Sequence, residues 1–155
     1  VLIRNERDPG VRYRVYSYEG WYAYISSLEN YYACSMKLLT QEARDGLFGV
    51  RNRPVLTKVR NSPPTRYSAG SDVTNSVIAD GCVIEGKVEN CILFRGVRIG
   101  RGAVIRNSIL MQNTYVGSDV QLDCVITDKD VVIRDRRRLS GCEKLPYFIG
   151  KGGRL

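Results

Sequence analysis

Aliphatic positions between residues 75 and 133 keep a six-residue phase. Four segments carry it: Asn75-Ser76-Val77-Ile78, Asn90-Cys91-Ile92-Leu93, Asn107-Ser108-Ile109-Leu110 and Asp123-Cys124-Val125-Ile126. Each reads Asn or Asp, then a small residue, then a β-branched one, then an aliphatic one, at offsets of 15, 17 and 16 residues. The closing aliphatics Ile78, Leu93, Leu110 and Ile126 make one column. Six residues beyond each stands a second column, Ile84, Ile99, Val116 and Val132, and Val88, Ile105 and Leu122 make a third. One inward aliphatic per hexad and three hexads per turn predict a triangular parallel solenoid of about four coils, over residues 71–133. A β-sandwich would alternate with period two and has no reason to hold a six-residue phase.

The polar positions fit the same geometry. Corners need positive φ, which Gly accepts and Asn tolerates. Gly81, Gly96 and Asn113 stand at one corner position, with Lys129 as the exception in the last coil. Ser76, Cys91, Ser108 and Cys124 form a small-residue column where a bulky side chain would collide.

Outside the ladder the pattern changes. Residues 11–25 alternate Tyr, Val and Trp with polar neighbours and read as one or two strands. Ser26-x-x-Glu29 is a capping box that predicts a helix over about 26–44, ended by Gly46. Its inward face is Leu28, Tyr31, Tyr32, Ser35, Met36, Leu38 and Leu39. That face must be buried against the solenoid or against further protein. Residues 50–71 hold Pro54, Pro63 and Pro64 without periodicity and read as an extended connector. The tail from Tyr147 to Gly153 reads as one more edge strand and turn. The expected division is therefore 1–49, a connector at 50–71, and a solenoid domain at 72–155. The first residues carry no signal of a domain start, so the chain reads as part of a longer protein.

Composition narrows the chemistry. The net charge is +8, with 18 Arg against 6 Lys. No helix-turn-helix, zinc-finger or RNA-binding signature accompanies that charge, so nucleic acid is not an expected partner. Arginine suits phosphate equally well, and cross-coil ion pairs on solvated faces are the plainer use of these charges. No apolar run approaches the roughly 20 residues of a membrane span. Five cysteines without a C-x-x-C, three of them inside the ladder, point to free thiols in a reducing cytoplasm. The chain has no histidine at all. Acyl transfer through an imidazole base, or a metal held by three imidazoles, is therefore excluded. The solenoid reads as scaffold and interface.

Glu19-Gly20-Trp21-Tyr22-Ala23-Tyr24-Ile25-Ser26-Ser27, followed by Tyr31-Tyr32-x-x-x-Met36-x-Leu38-Leu39, resembles the end of the nucleotidyltransferase domain in glucose-1-phosphate adenylyltransferases. Pro63-Pro64-Thr65 and Asn75–Cys82 resemble the entry to the C-terminal β-helix of the same family. The resemblance covers about residues 11 to 153. It implies a mainly β fold, a left-handed parallel β-helix preceded by a short strand-helix piece of the nucleotidyltransferase domain. The left hand is an exception to the usual right-handed crossover.

The family's metal-binding carboxylate falls on Tyr24, and its following Gly-Thr on Ser26-Ser27. A phenol with a pKa of about 10 is neutral at physiological pH and a poor magnesium ligand. The resemblance therefore implies the non-catalytic, D-type subunit of bacterial glycogen synthesis, with no cofactor in this stretch. Magnesium and ATP belong to a catalytic adenylyltransferase partner in a tetramer. It also implies an anionic sugar-phosphate effector, with Lys151 nearest the family's effector-contacting lysine and Arg134, Arg136 and Arg137 as further candidates. A catalytic member with its metal ligand elsewhere, the tail of a mannose-1-phosphate guanylyltransferase and a stand-alone binding prism are the other readings.

Overall fold

The computed structural model describes residues 14–49 and 54–155. From residue 66 onward the chain winds through three five-stranded parallel sheets in strict rotation. Sheet A holds β1 (Arg66–Tyr67), β4 (Val83–Ile84), β7 (Arg98–Ile99), β10 (Tyr115–Val116) and β13 (Val132–Ile133). Sheet B holds β2 (Asp72–Thr74), β5 (Lys87–Glu89), β8 (Val104–Arg106), β11 (Gln121–Asp123) and β14 (Arg138–Ser140). Sheet C holds β3 (Val77–Ile78), β6 (Ile92–Leu93), β9 (Ile109–Leu110), β12 (Val125–Thr127) and β15 (Tyr147–Ile149). This is the expected hexapeptide solenoid. Its first strand lies within the stretch that reads as connector, and β14 and β15 add a layer beyond residue 133.

Strands of two or three residues cannot stand alone. They are held because each stacks on its equivalent one coil away, which turns single aliphatics into continuous stripes. The stripe from sheet B is Val73, Val88, Ile105, Leu122 and Leu139, in register throughout. Ile84, Ile99, Val116 and Ile133 form the stripe from sheet A. Ile78, Leu93, Leu110 and Thr127 form the stripe from sheet C.

Two positions in the sequence-derived columns are corrected here. Val132 pairs with Tyr115 and faces outward, while Ile133 fills the interior. Ile126 pairs with Ile109 on the outer face, and Thr127 takes the inward place above Leu110. The same one-residue shift moves the corners. Asp130 (φ 60°) holds the position assigned to Lys129, and Cys124 (φ 51°) takes the left-handed place of Asn75, Asn90 and Asn107. Val125 then follows Ser76, Cys91 and Ser108 in the small column. The repeat runs at 17 residues, except that Glu85-Gly86 shortens one corner by two and the loop between β14 and β15 lengthens the last offset to 22. A Cβ at Gly86 would collide with the Ala103 carbonyl, so that corner requires glycine.

Thr127 is tolerated inside because its hydroxyl is satisfied. It lies 2.9 Å from the Thr114 hydroxyl and accepts from the Met111 N–H. Ile126 is buried although it points outward, because a helix covers it.

That helix corrects a second expectation. The stretch 26–44 forms two helices, α1 (Leu28–Lys37) and α2 (Gln41–Phe48). Ser27 caps α1 by accepting from the Asn30 N–H, and Thr40 breaks the run by capping α2 through the Ala43 N–H. Gly46 lies inside α2, and Gly49 caps its C-terminus. Residues 14–25 form no strand, since no described strand lies beside them to share a ladder.

Candidate functional site

Helix α1 lies across the outer face of sheet C. Tyr32 anchors it: the ring packs with Ile109, Cys124 and Ile126, and the hydroxyl donates to the Asn107 carbonyl at 2.7 Å. Burial, first, and then the neighbouring Cys124 raise the Tyr32 phenol pKa, so the hydroxyl stays a donor. Beside this contact, Leu38, Phe48, Val77, Ile92 and Phe94 line an apolar groove of about 260 Å³ between the helices and sheet C. The predicted helix face is thus partly realised. Tyr32 and Leu39 are buried, Tyr31 and Met36 pack against the sheet, and Leu28 stays exposed.

Tyr24, the residue at the family's carboxylate position, lies in irregular chain with 67% of its surface exposed. Among the described residues no group of three or more His, Cys, Asp or Glu side chains could hold a metal ion. Tyr24 brings a phenol and no carboxylate to that position.

The basic candidates divide between two corners at the last coil. Lys151 lies in the turn after β15, at the corner from sheet C to sheet A, where the Gly152 N–H donates to the Lys129 carbonyl. Arg134, Arg136 and Arg137 lie between β13 and β14, at the corner from sheet A to sheet B. With Tyr115 and Asp135 they line an open depression of about 550 Å³. Arg137 follows Gly86, Ala103 and Val120 in the corner position next to the sheet B strands.

Lower in the prism, charge is paired between coils. Asp80 accepts from Arg95 at 2.7 Å, Glu89 from Arg106 at 3.2 Å, and Lys87 lies 4.0 Å from Asp72. A hydrogen bond from Ser62, and then Arg95, lowers the Asp80 pKa. The arginines of the last coil have no such partner among the described residues. Asp135, the carboxylate within their run, accepts from the Ser118 N–H at 2.8 Å.

Missed from the sequence was the amide ladder at the corner from sheet B to sheet C. Asn75 donates to Asn90 at 2.8 Å, Asn90 to Asn107 at 3.4 Å, and Asn107 to Asp123 at 2.9 Å. The repeated Asn was visible, and its spacing at one coil was the available signal.

This architecture defines a hexapeptide-repeat solenoid carrying a helical clasp on one face. Residues 63–142 match the family described as GlmU-like, C-terminal hexapeptide, and the chain belongs to that family. It is similar to glycogen biosynthesis protein GlgD of Bacillus subtilis (strain 168), 44% identical over 137 residues, covering 88% of this chain and 40% of that protein. GlgD of Geobacillus stearothermophilus is 46% identical over 118 residues, 76% of this chain and 34% of that protein. Glucose-1-phosphate adenylyltransferase of Desulfitobacterium hafniense (strain Y51) is 30% identical over 156 residues, 90% of this chain and 39% of that protein. The chain thus spans about two fifths or less of the length of these curated relatives. No helix among the described residues is long and apolar enough to cross a membrane.

Proposed function

We propose that this chain is the C-terminal part of a regulatory, D-type subunit of a bacterial glucose-1-phosphate adenylyltransferase, acting in cytoplasmic glycogen biosynthesis. The observation that carries the reading is the similarity to two proteins named GlgD, joined to a tyrosine where the catalytic family places its metal-binding carboxylate. In this reading the solenoid is an oligomerisation and control element. It assembles with a catalytic adenylyltransferase subunit in a tetramer, and the catalytic partner supplies the magnesium and ATP chemistry.

An anionic sugar-phosphate effector acts on that assembly. Lys151 is the candidate contact kept here, because its corner borders sheet C, the face that carries the helices. Arg134, Arg136 and Arg137 lie at the corner opposite that face and are set aside for this role.

Mixing the full-length protein with its catalytic subunit tests the proposal. The expected result is a mixed oligomer by light scattering, with a changed substrate or effector response of the catalytic subunit. A lone monomer in the mixture, with unchanged kinetics, overturns it. Lys151→Ala is expected to weaken effector activation of the complex; unchanged activation removes that residue from the site.

A further inference from the structure

The arginines of the last coil pose a physical problem that the effector reading does not solve. On the lower coils three acidic and basic pairs bridge one coil to the next, among them Asp80 with Arg95 at 2.7 Å and Glu89 with Arg106 at 3.2 Å. Around Tyr115 that pairing stops. On the outer face of sheet A, Tyr115 is in register with Arg98 on one side and Val132 on the other. Arg154 bridges to Val132, so it stands two strands beyond Tyr115. Adjacent strands lie about 4.8 Å apart, so this file of side chains spans roughly 14 Å. The exposed Arg134, Arg136 and Arg137 flank it at the adjoining corner. None of these five guanidinium groups has a carboxylate partner among the described residues. Tyr115 stands among them 44% exposed.

We propose that this face is a docking surface for an acidic protein surface on a different chain. The shape favours a protein over a small ligand, since the depression is open and lies on a convex corner, whereas small-molecule sites are enclosed. Composition agrees, because Arg and Tyr carry interface binding energy disproportionately. A second copy of this chain is excluded as the occupant, because its matching face bears the same charge and the chain carries +8 overall. Single-stranded nucleic acid is disfavoured, because it needs successive aromatic platforms and this face offers Tyr115 alone. The surface spans sheet A and the corner opposite the helix-bearing sheet C, so a domain docked on the outer face of the helices leaves it free. The proposal rests on the mixed-oligomer reading above and assigns the face through which such a partner binds.

The test titrates the full-length protein against its purified catalytic adenylyltransferase subunit at several salt concentrations, comparing wild type with the Arg134→Glu/Arg136→Glu/Arg137→Glu variant. These side chains are exposed, so the variant is expected to keep the wild-type melting temperature within a few degrees. The expected result is at least tenfold weaker binding and a flatter salt dependence. Lys144→Glu, at the exposed corner from sheet B to sheet C, is expected to leave binding unchanged. No binding by the wild type overturns the mixed-oligomer reading itself. Wild-type binding that the triple variant reproduces, salt dependence included, overturns only the assignment of this face. Tighter binding of a single-stranded oligonucleotide than of the subunit, lost in the triple variant, overturns the choice of a protein as occupant.

Discussion

At the corner from sheet B to sheet C, Asn107 sits at φ 46° and its side chain links Asn90 to Asp123. Its carbonyl also accepts the Tyr32 hydroxyl, so one residue ties corner, coil stack and helix together. Asn107→Ala should cost about 2 kcal/mol, combining left-handed strain with lost hydrogen bonds. Asn107→Gly relieves the strain and should be milder; equal losses in chemical denaturation would contradict this partition. The thiols follow burial in the same way. Burial pushes Cys91 up to about 12 and also raises Cys82 and Cys124. Thiol labelling of the native protein should modify the exposed Cys142 first and leave these three protected until unfolding. A raised thiol pKa stabilises the fold below the unfolded value. For Cys91 that contribution fades from about pH 9 to about 12, so alkaline melting should begin in that window.

The elements show what a sequence pattern can and cannot resolve. Single aliphatics flanked by polar residues, such as Val88 and Leu122, made their phase unambiguous. Val131-Val132-Ile133 and Val125-Ile126-Thr127 did not, because three buried or half-buried residues in a row erase the alternation. A slip of one residue exchanges the two faces of a strand. The signal that would have settled sheet C was tertiary, since Ile126 is apolar on the outside because α1 covers it. Likewise Thr40 reads as an interior helix residue until its side chain is seen capping α2. The basic candidates were legible as residues but not as places, because only the winding assigns Lys151 and the arginine run to different corners. Register is open to test. Ile133→Asp should cost more than about 4 kcal/mol by burying an unpaired carboxylate. Val132→Asp, facing outward between Tyr115 and Arg154, should cost less than about 1 kcal/mol; the reverse order in denaturant melts would restore the other register. At the helix contact, Tyr32→Phe should cost about 1–2 kcal/mol through the stranded Asn107 carbonyl. A silent substitution in the same denaturant assay would mean that α1 is held by its apolar contacts alone.

For the whole molecule, the solenoid is on the proposed reading a source of rigidity and surface, and the chemistry is left to a catalytic partner. The chain has no histidine, and Tyr24 is solvent-exposed with no metal-binding cluster among the described residues. Adenylyl transfer depends on a metal clamp that offsets repulsion between anionic reactants, and losing a carboxylate ligand removes part of that clamp. A full-length protein that is silent by itself and acts on a catalytic partner is therefore expected. The most direct measurement is turnover of the purified full-length protein alone, with ATP, glucose 1-phosphate and magnesium. No turnover above background is expected, under conditions where adding the catalytic subunit gives activity with altered kinetics. Turnover alone within about tenfold of a typical enzyme's ~10 per second would contradict it.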